Sequence, residues 1–154
     1  MGCSKDQFSW IYSDRNPRSQ EGSISSLNVN GSWIVTAYEN LETGKITLKT
    51  NENSGGGMDI SIKFYDNTFC GFNTTNEIEG HYILRDTSLK IDVYGGSKVG
   101  QPEWGNMFSD SIYSIDSFQR TNSELKLFYN HHKNCVVLNH LRQDLVCTWT
   151  YSAY

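Results

Sequence analysis

Alternating apolar and polar residues predict a β-hairpin near the middle of the chain. Ile62 and Phe64 alternate with Ser, Lys and Tyr, which is the period of two expected of a strand with one buried face. Asp66-Asn67 follows, and both residue types favour tight turns. With this pair as the loop, Phe69 faces Phe64, and Gly71 faces Ile62 and leaves room for its branched side chain.

The same alternation marks further strands on both sides of this hairpin, with a loop expected at residues 51–57. The predicted strands are residues 33–39, 45–50, 78–84, 89–93, 124–129, 135–141 and 145–151. They make the protein mostly β, a compact antiparallel sheet or barrel. We expect a single domain at residues 31–154, preceded by a tether or loosely docked arm at residues 1–30.

One short helix is predicted before the closing strands. Pro102 suits the first helical position, and Glu103 suits the positive end of the helix dipole. The apolar residues that follow are spaced three or four apart, so they form one stripe that must pack on the sheet. We therefore predict that this helix is a structural plug and that the interior of the fold is full. The stripe comprises Trp104, Met107, Phe108 and Ile112, and it continues to Ile115.

Composition and charge narrow the classes of partner. The 154 residues include 13 basic and 17 acidic side chains, which give a formal net charge of −4. No basic run or Arg-rich stripe occurs, so nucleic acid is not an expected partner. No apolar run approaches the roughly 18 residues that a membrane-spanning helix needs.

The amino terminus predicts a lipid anchor. Gly2-Cys3 resembles the cleavage site of a bacterial lipoprotein from which the export signal has been removed. Cys3 would then carry the lipid and attach the chain to a membrane of the bacterial cell envelope, as an outer-membrane or periplasmic lipoprotein. A myristoylation motif is excluded because Asp6 stands where that motif requires Ser or Thr. The alternative is that Cys3 is an ordinary thiol.

The remaining cysteines are Cys70, Cys135 and Cys147, and they lack the spacing of a zinc site. If residues 135–141 and 145–151 form a hairpin around Arg142-Gln143, Cys135 and Cys147 point to opposite faces and cannot be bridged. We expect buried, unbridged thiols. If either of these two cysteines is bridged, the candidate partner is Cys70.

Several landmarks resemble the META domain family, the HslJ-like proteins of bacterial envelopes. They are the strand opened by Trp33, Gly71-Phe72-Asn73 followed by Gly80-His81-Tyr82, the helix carrying Glu103 and Phe108, and Leu125-Lys126-Leu127. The chain departs from the family because the usual Gly-Cys before Asn73 is absent and the segment before the helix differs. The resemblance implies a compact antiparallel β fold with a helix before the closing strands. It supplies no catalytic residues.

A lipocalin-like barrel that binds a small ligand is the alternative. Gly31-Ser32-Trp33 fits the Gly-x-Trp that opens those barrels, and Arg142 is the residue that could cover the indole. In lipocalins, however, the main helix follows all eight barrel strands. Here about three predicted strands follow the helix, which favours the META pattern.

No constellation of residues predicts catalysis, a metal site or a cofactor. His131-His132 lacks a third ligand, and Glu103 and Asp110 lie about two helical turns, or about 10 Å, apart. We therefore expect an uncharacterised, non-catalytic binding or interaction module rather than an enzyme. Its expected partners are the membrane, through Cys3, and an envelope protein or a small apolar ligand. We expect a monomer.

Overall fold

The computed structural model describes residues 28–97 and 99–147. In this part of the chain none of the helices is both long and apolar enough to span a bilayer. The elements, in order, are β1 (Gly31–Asn40), β2 (Ile46–Leu48), α1 (Asn51–Ser54), β3 (Ser61–Tyr65), β4 (Thr68–Asn73), β5 (Asn76–Arg85), β6 (Ser88–Gly96), α2 (Glu103–Ile112), β7 (Ile115–Arg120), β8 (Glu124–Tyr129) and β9 (Asn134–His140).

Eight of these strands close into an antiparallel barrel. Their order is β1, β3, β4, β5, β6, β7, β8 and β9, and β9 pairs back onto β1 with Val136 opposite Tyr38. The remaining strand, β2, pairs with the second half of β1, beyond the residues of β1 that pair with β3. The predicted fold class, a mostly β antiparallel barrel with a short helix before its closing strands, is confirmed.

The central hairpin has the predicted register. Phe64 lies opposite Phe69, and Ile62 lies opposite Gly71. Asp66 and Asn67 both adopt positive φ, at 52° and 67°, as the tight turn requires. A Cβ at position 71 would overlap the Ser61 carbonyl oxygen and lie 2.8 Å from Ile62 Cα, so only glycine allows this approach of the two strands.

The predicted helix is too long at its end, and the strand that follows it was missed. Pro102 is the N-cap of α2, and the helix ends at Ile112. Ile115 therefore does not continue the helical stripe but is a buried residue of β7 opposite Tyr129.

The register of β7 shifts between Ile115 and Ser117, so its buried residues Ile115 and Phe118 are three apart. This bulge removed the alternation that predicts a strand.

The expected loop at residues 51–57 contains the short helix α1. The Thr50 hydroxyl accepts a hydrogen bond from the Asn53 amide at 3.0 Å, and the Asn53 side-chain oxygen accepts one from the Thr50 amide at 2.8 Å. This is a capping box in which Asn takes the place of the usual Glu or Gln. Gly55, with φ of 58°, ends the helix.

The predicted last hairpin is wrong. Residues 141–147 form no strand, because both edges of β9 are already paired, with β8 on one side and β1 on the other. Residues 148–151 of the predicted strand lie outside the described residues. The segment 141–147, which we call the strap, instead binds the barrel through hydrogen bonds from the Leu141 and Leu145 amides to the carbonyl and hydroxyl of Ser32.

Large apolar side chains from the strands and from α2 form one core. α2 contributes Trp104, Phe108 and Ile112, which have no exposed surface, while Met107 is partly buried against the same core. The Tyr38 hydroxyl, whose pKa is raised by burial, donates to the Trp104 carbonyl at 3.0 Å. Other completely buried side chains are Val29, Trp33, Ile60, Ile62, Phe64, Phe69, Leu89, Leu125, Leu127, Cys135, Val136 and Leu138.

Candidate functional site

A polar cleft lies beside α2, where β6 and β7 separate. The two strands pair only at Ser88 and Ser117, so the second half of β6 has no strand neighbour on this side. The cleft has a volume of about 310 Å³. Its described lining residues, from the ends of β5 and β6, the following loop and α2, are Asn76, Glu77, Ile78, Tyr94, Gly95, Gly96, Ser97, Val99, Gly100, Gln101, Asn106 and Ser109.

Asn76 fixes the loop that forms one wall of the cleft. It is the first residue of β5, where it takes a buried position of the alternating pattern. Its side-chain oxygen accepts from the Ser97 hydroxyl at 3.1 Å and from the Val99 amide at 2.7 Å. Its amide nitrogen donates to the Val99 carbonyl at 2.8 Å and to the side-chain oxygen of Gln101 at 3.3 Å. The hydrogen-bonding capacity of Asn76 is thus used entirely within the wall.

Ser109 on α2 joins the helix to the barrel. Its hydroxyl oxygen accepts from Asn73 Nδ2 and from Gln101 Nε2, each at 2.8 Å. The Tyr94 hydroxyl is a third neighbour of Ser109 Oγ, at 3.4 Å, and either hydroxyl can be the donor in this pair. Ser109 thus connects α2 to Asn73 of β4, to Gln101 and to Tyr94 of β6.

Gly105 allows the first turn of α2 to approach the β4–β5 turn. A Cβ at position 105 would overlap the Thr74 hydroxyl oxygen and lie 2.8 Å from Asn73 Oδ1 and 2.9 Å from Gln101 Oε1. Asn73 Nδ2 donates to the Gly105 carbonyl at 3.1 Å, which holds the helix against this turn. Asn73 Oδ1 and Thr74 Oγ1 are buried with no hydrogen-bond partner among the described residues.

The described residues that line the cleft carry little charge. Glu77, which is exposed, is the one carboxylate among its described lining residues, and none of them is Lys, Arg or His. The other side-chain polar groups are amides and hydroxyls. The groups that the described lining residues present to the cleft are thus amides, hydroxyls and the Glu77 carboxylate.

The strap forms a second groove, of about 370 Å³, on the outer face of β4 and β5. Cys147 in the strap forms a disulfide bond with Cys70 of β4, and their Cα atoms are 6.0 Å apart. The Asp144 carboxylate accepts from Lys63 Nζ at 2.8 Å and from the Ser32 hydroxyl at 2.5 Å. The hydrogen bonds from Lys63 and Ser32 hold the pKa of Asp144 below its ordinary value.

The disulfide corrects the expectation of unbridged thiols. That expectation assumed that residues 145–151 continue the sheet as a strand. Because the strap crosses the outer face instead, Cys147 meets Cys70, which points outward between the inward-facing Phe69 and Gly71. Cys135 is a free, buried thiol, so Cys135 and Cys147 are not joined. Burial raises the pKa of Cys135 to about 12.

A cationic side chain covers the Trp33 indole, as was expected for a Gly-x-Trp barrel opening, but it is Arg120 and not Arg142. The Arg120 guanidinium lies over the indole, 4.9 Å from the ring centroid. Arg120 also donates to the Asn28 and Asn30 carbonyls, at 3.4 and 2.7 Å. Arg120 comes from β7, which the sequence did not predict as a strand, so its position beside Trp33 could not be foreseen.

The other residues singled out from the sequence are separate from the cleft. Cys3 lies outside the described residues. Trp104, Phe108 and Ile112 lie in the core rather than on a surface. His131 and His132 adopt positive φ in the β8–β9 turn, and the His132 ring stacks on Phe128 at 3.9 Å. Among residues 28–97 and 99–147, no group of three His, Cys, Asp or Glu side chains could hold a metal.

The network of Asn73, Asn76, Gln101 and Ser109 was missed by sequence reasoning. One signal was present: Asn76 falls in phase with Ile78 and Tyr82, so a polar amide occupies an inward position of an alternating strand. Such a residue must find hydrogen-bond partners inside the fold. The identity of those partners could not be read from the sequence, because they lie 20 or more residues away in the loop between β6 and α2.

Comparison with solved structures supports the fold alone. The NMR structure of a protein from Burkholderia xenovorans matches with a TM-score of 0.60 and 15% identity, covering 89% of this chain and 97% of the other. The crystal structure of a DUF4847 family protein from Bacteroides vulgatus matches with a TM-score of 0.55 and 19% identity, covering 75% of this chain and 95% of the other. No protein-family profile matches the sequence, and no curated protein matches it.

Proposed function

We propose that this protein is a non-catalytic binding module of the bacterial cell envelope, attached to a membrane through a lipid on Cys3. The observation that carries the proposal is the disulfide bond between Cys70 and Cys147. Disulfides of this structural kind persist in oxidising compartments such as the periplasm and are rare in the cytosol. The Gly2-Cys3 sequence and the resemblance to META domains favour the same compartment.

The filled barrel favours binding at the surface over binding inside. A lipocalin-like cup needs an open interior, but here Trp104 and Phe108 from α2 are completely buried in the same core as Trp33, Phe64 and Leu125. Two volumes open to a ligand in the described part of the chain are the cleft beside α2 and the groove under the strap. Either could receive a small molecule or part of an envelope protein.

The lipocalin-like function remains the second candidate because of two observations. The chain closes an eight-stranded antiparallel barrel, and Arg120 covers the Trp33 indole that follows Gly31. A ligand inside this barrel would have to displace α2. Binding of an apolar dye to the folded protein that becomes stronger when Phe108→Ala loosens α2 would favour this alternative over surface binding.

Metabolic labelling with palmitate in bacterial cells tests the anchor. The precursor should incorporate label and fractionate with membranes. Replacing Cys3 by Ala should abolish the label, whereas the matched change Cys135→Ala should leave it unchanged because Cys135 is buried in the barrel. An unlabelled wild-type protein released in soluble form would refute the anchor.

Thiol trapping of the same cells tests the compartment separately. Acid quenching followed by alkylation should show Cys70 and Cys147 protected until a reductant is added. Free thiols at both positions in intact cells would place the protein in a reducing compartment and refute the proposal. Because the anchor and the disulfide are read independently, failure of one identifies which part of the proposal is wrong.

A further inference from the structure

We propose that the surface under the strap is a binding site for an acidic peptide of a partner protein, and that the strap occupies this site as an internal inhibitor until the disulfide is reduced. This inference rests on the proposed binding function and deepens it by naming a site, a ligand class and a means of release. Three observations support it: the contacts of Asp144, the position of Cys70 beside those contacts, and the closure of the barrel without the strap.

The site is a row of three residues across neighbouring strands. Ser32 of β1 lies opposite Lys63 of β3, and Lys63 lies opposite Cys70 of β4. Residues paired in this way share one face of a sheet. Strands lie about 4.8 Å apart, so the row is about 10 Å long, and the three steps from Asp144 to Cys147 cover that length when extended. The strap accordingly reaches both ends of the row, with Asp144 on Ser32 and Lys63 and with Cys147 on Cys70.

The strap binds this row as a peptide ligand would. Asp144 Oδ1 accepts from the Ser32 hydroxyl at 2.5 Å, and Asp144 Oδ2 accepts from Lys63 Nζ at 2.8 Å. The next residue binds through its backbone, because the Leu145 amide donates to Ser32 Oγ at 2.9 Å and the Leu145 carbonyl accepts from Lys63 Nζ at 3.2 Å. Ser32 and Lys63 therefore recognise an acidic side chain together with the backbone of the residue that follows it. A free carboxylate can make only the first two of these bonds.

The site is built for a charged carboxylate rather than for an amide. The hydrogen bonds from Lys63 and Ser32 lower the pKa of Asp144, so they stabilise its ionised form. The Lys63 side chain is only 25% exposed, whereas that of Asp144 is 67% exposed. The cation is thus fixed against the barrel, and the acid is held at the outside by its partners. An acidic side chain from another molecule can approach from the same direction.

The barrel does not need the strap for its closure. β9 pairs directly with β1, and no residue of the strap belongs to the hydrophobic core. Val146 is 85% exposed. Loss of the strap should therefore uncover Ser32 and Lys63 and leave the barrel folded.

The disulfide controls access to the site. Cys70 and Cys147 are both only partly buried, so a dithiol reductant of the thioredoxin type can reach them. The dithiol gives up two electrons and two protons and closes to a disulfide, while the bond between Cys70 and Cys147 breaks and each sulfur gains a hydrogen. The described contacts that remain between the strap and the row are hydrogen bonds. A peptide in solution can then displace the strap.

Fluorescence anisotropy with a labelled peptide tests the site. The peptide has the sequence of residues 142–146, and its control carries Asn in place of Asp144. A tethered strap competes at an effective concentration in the millimolar range, so the double variant Cys147→Ser, Asp144→Asn is used to weaken this competition. The double variant should bind the acidic peptide about 10-fold or more tightly than the control, as expected for hydrogen bonds to a charged group. Oxidised wild-type protein should bind the acidic peptide most weakly.

Matched lysine variants locate the site. Added to the double variant, Lys63→Met should weaken peptide binding about 10-fold or more. Lys90→Met, at an exposed lysine of β6 that does not line the groove under the strap, should leave binding unchanged. Hydrogen exchange of wild-type protein follows the release without any variant. Dithiothreitol should lower the protection of the Leu145 amide and leave the amides of the Phe64 and Phe69 hairpin protected.

Each outcome decides the inference. Absence of peptide binding to the double variant at millimolar concentration overturns the site, and equal binding of the acidic and Asn peptides overturns recognition of the carboxylate. Acetate that displaces the peptide at the peptide's own concentration overturns the peptide as ligand class. Equal binding by oxidised wild-type protein, or an unchanged Leu145 amide after reduction, overturns inhibition by the strap. These measurements use purified protein and do not involve Cys3, so failure of this site and failure of the envelope proposal are distinguishable.

Discussion

Replacing Gly105 by Ala should destabilise the protein, although the same change in an ordinary helix stabilises it. In an exposed helix interior, Ala is favoured over Gly by about 1 kcal/mol. Gly105 is buried in the first turn of α2, where a Cβ would overlap the Thr74 hydroxyl oxygen and lie 2.8 Å from Asn73 Oδ1. The local contact therefore opposes the helical preference.

The expected magnitude follows from three contributions. Overpacking a well-packed site costs about 1–3 kcal/mol. Moving α2 away also weakens the hydrogen bonds from Asn73 to the Gly105 carbonyl and to Ser109, at about 0.5–1.5 kcal/mol each. Subtracting the gain in helix propensity leaves a net loss of about 1–5 kcal/mol in the free energy of unfolding.

Urea denaturation of matched variants measures this loss. Asp110→Ala, at an exposed position of the same helix, should be neutral or slightly stabilising, because only helix propensity changes. Thr74→Gly removes the nearest obstructing oxygen, and its φ of 43° suits glycine. In the double variant the cost of Gly105→Ala should fall by about 1 kcal/mol or more. A Gly105→Ala protein more stable than the wild type would refute the reasoning.

Three further predictions concern the plug, the free thiol and the strap. Phe108→Ala should lower the free energy of unfolding by about 3–5 kcal/mol in denaturant melts, and a loss below about 1 kcal/mol would contradict a filled barrel. Cys135, with its pKa raised by burial to about 12, should be alkylated at pH 8 only after unfolding, as peptide mass spectrometry would show; rapid labelling of the native protein would contradict this. The hydrogen bond from Lys63 lowers the pKa of Asp144. The stability that the ionised Asp144 carboxylate adds to the strap is therefore fully present above the ordinary pKa of 3.8, and it is lost as the pH falls through the lower pKa of the native protein. The Leu145 amide donates to the Ser32 hydroxyl, which donates to Asp144. The protection factor of this amide against hydrogen exchange should therefore fall only in strong acid, and in Asp144→Asn it should be low at every pH.

The local patterns of the sequence were sufficient for the central hairpin and for the start of α2. The pairing of Phe64 with Phe69 depends on residues only five apart and on the intervening turn, so alternation and turn chemistry determine it. The start of α2 depends on Pro102 and the apolar stripe, which are equally local. Turn residues, alternation and an apolar stripe each involve residues that are close in the sequence, so a single sequence is enough to recognise them.

What could not be predicted depends on closure of the barrel. Because β9 pairs with β1, no edge remains for another strand, and the strap takes a different course from that expected. The disulfide between Cys70 and Cys147 follows from that course, and the residues it joins are 77 apart in sequence. The cleft is equally non-local, because its walls come from β5, β6 and α2 and its network joins Asn73 to Ser109.

The position of β2 has a consequence for how molecules of this protein meet one another. Closed barrels have no free strand edges, and free edges are where chains add to each other and aggregate. β2 lies outside the closed ring and pairs only with β1 among the described strands, with Ile46 and Leu48 about 57% and 59% exposed. It is three residues long and flanked by Lys45 and Lys49, two features that discourage edge-to-edge association. Colloidal stability at high concentration should therefore depend on these two lysines more than on the much larger barrel wall.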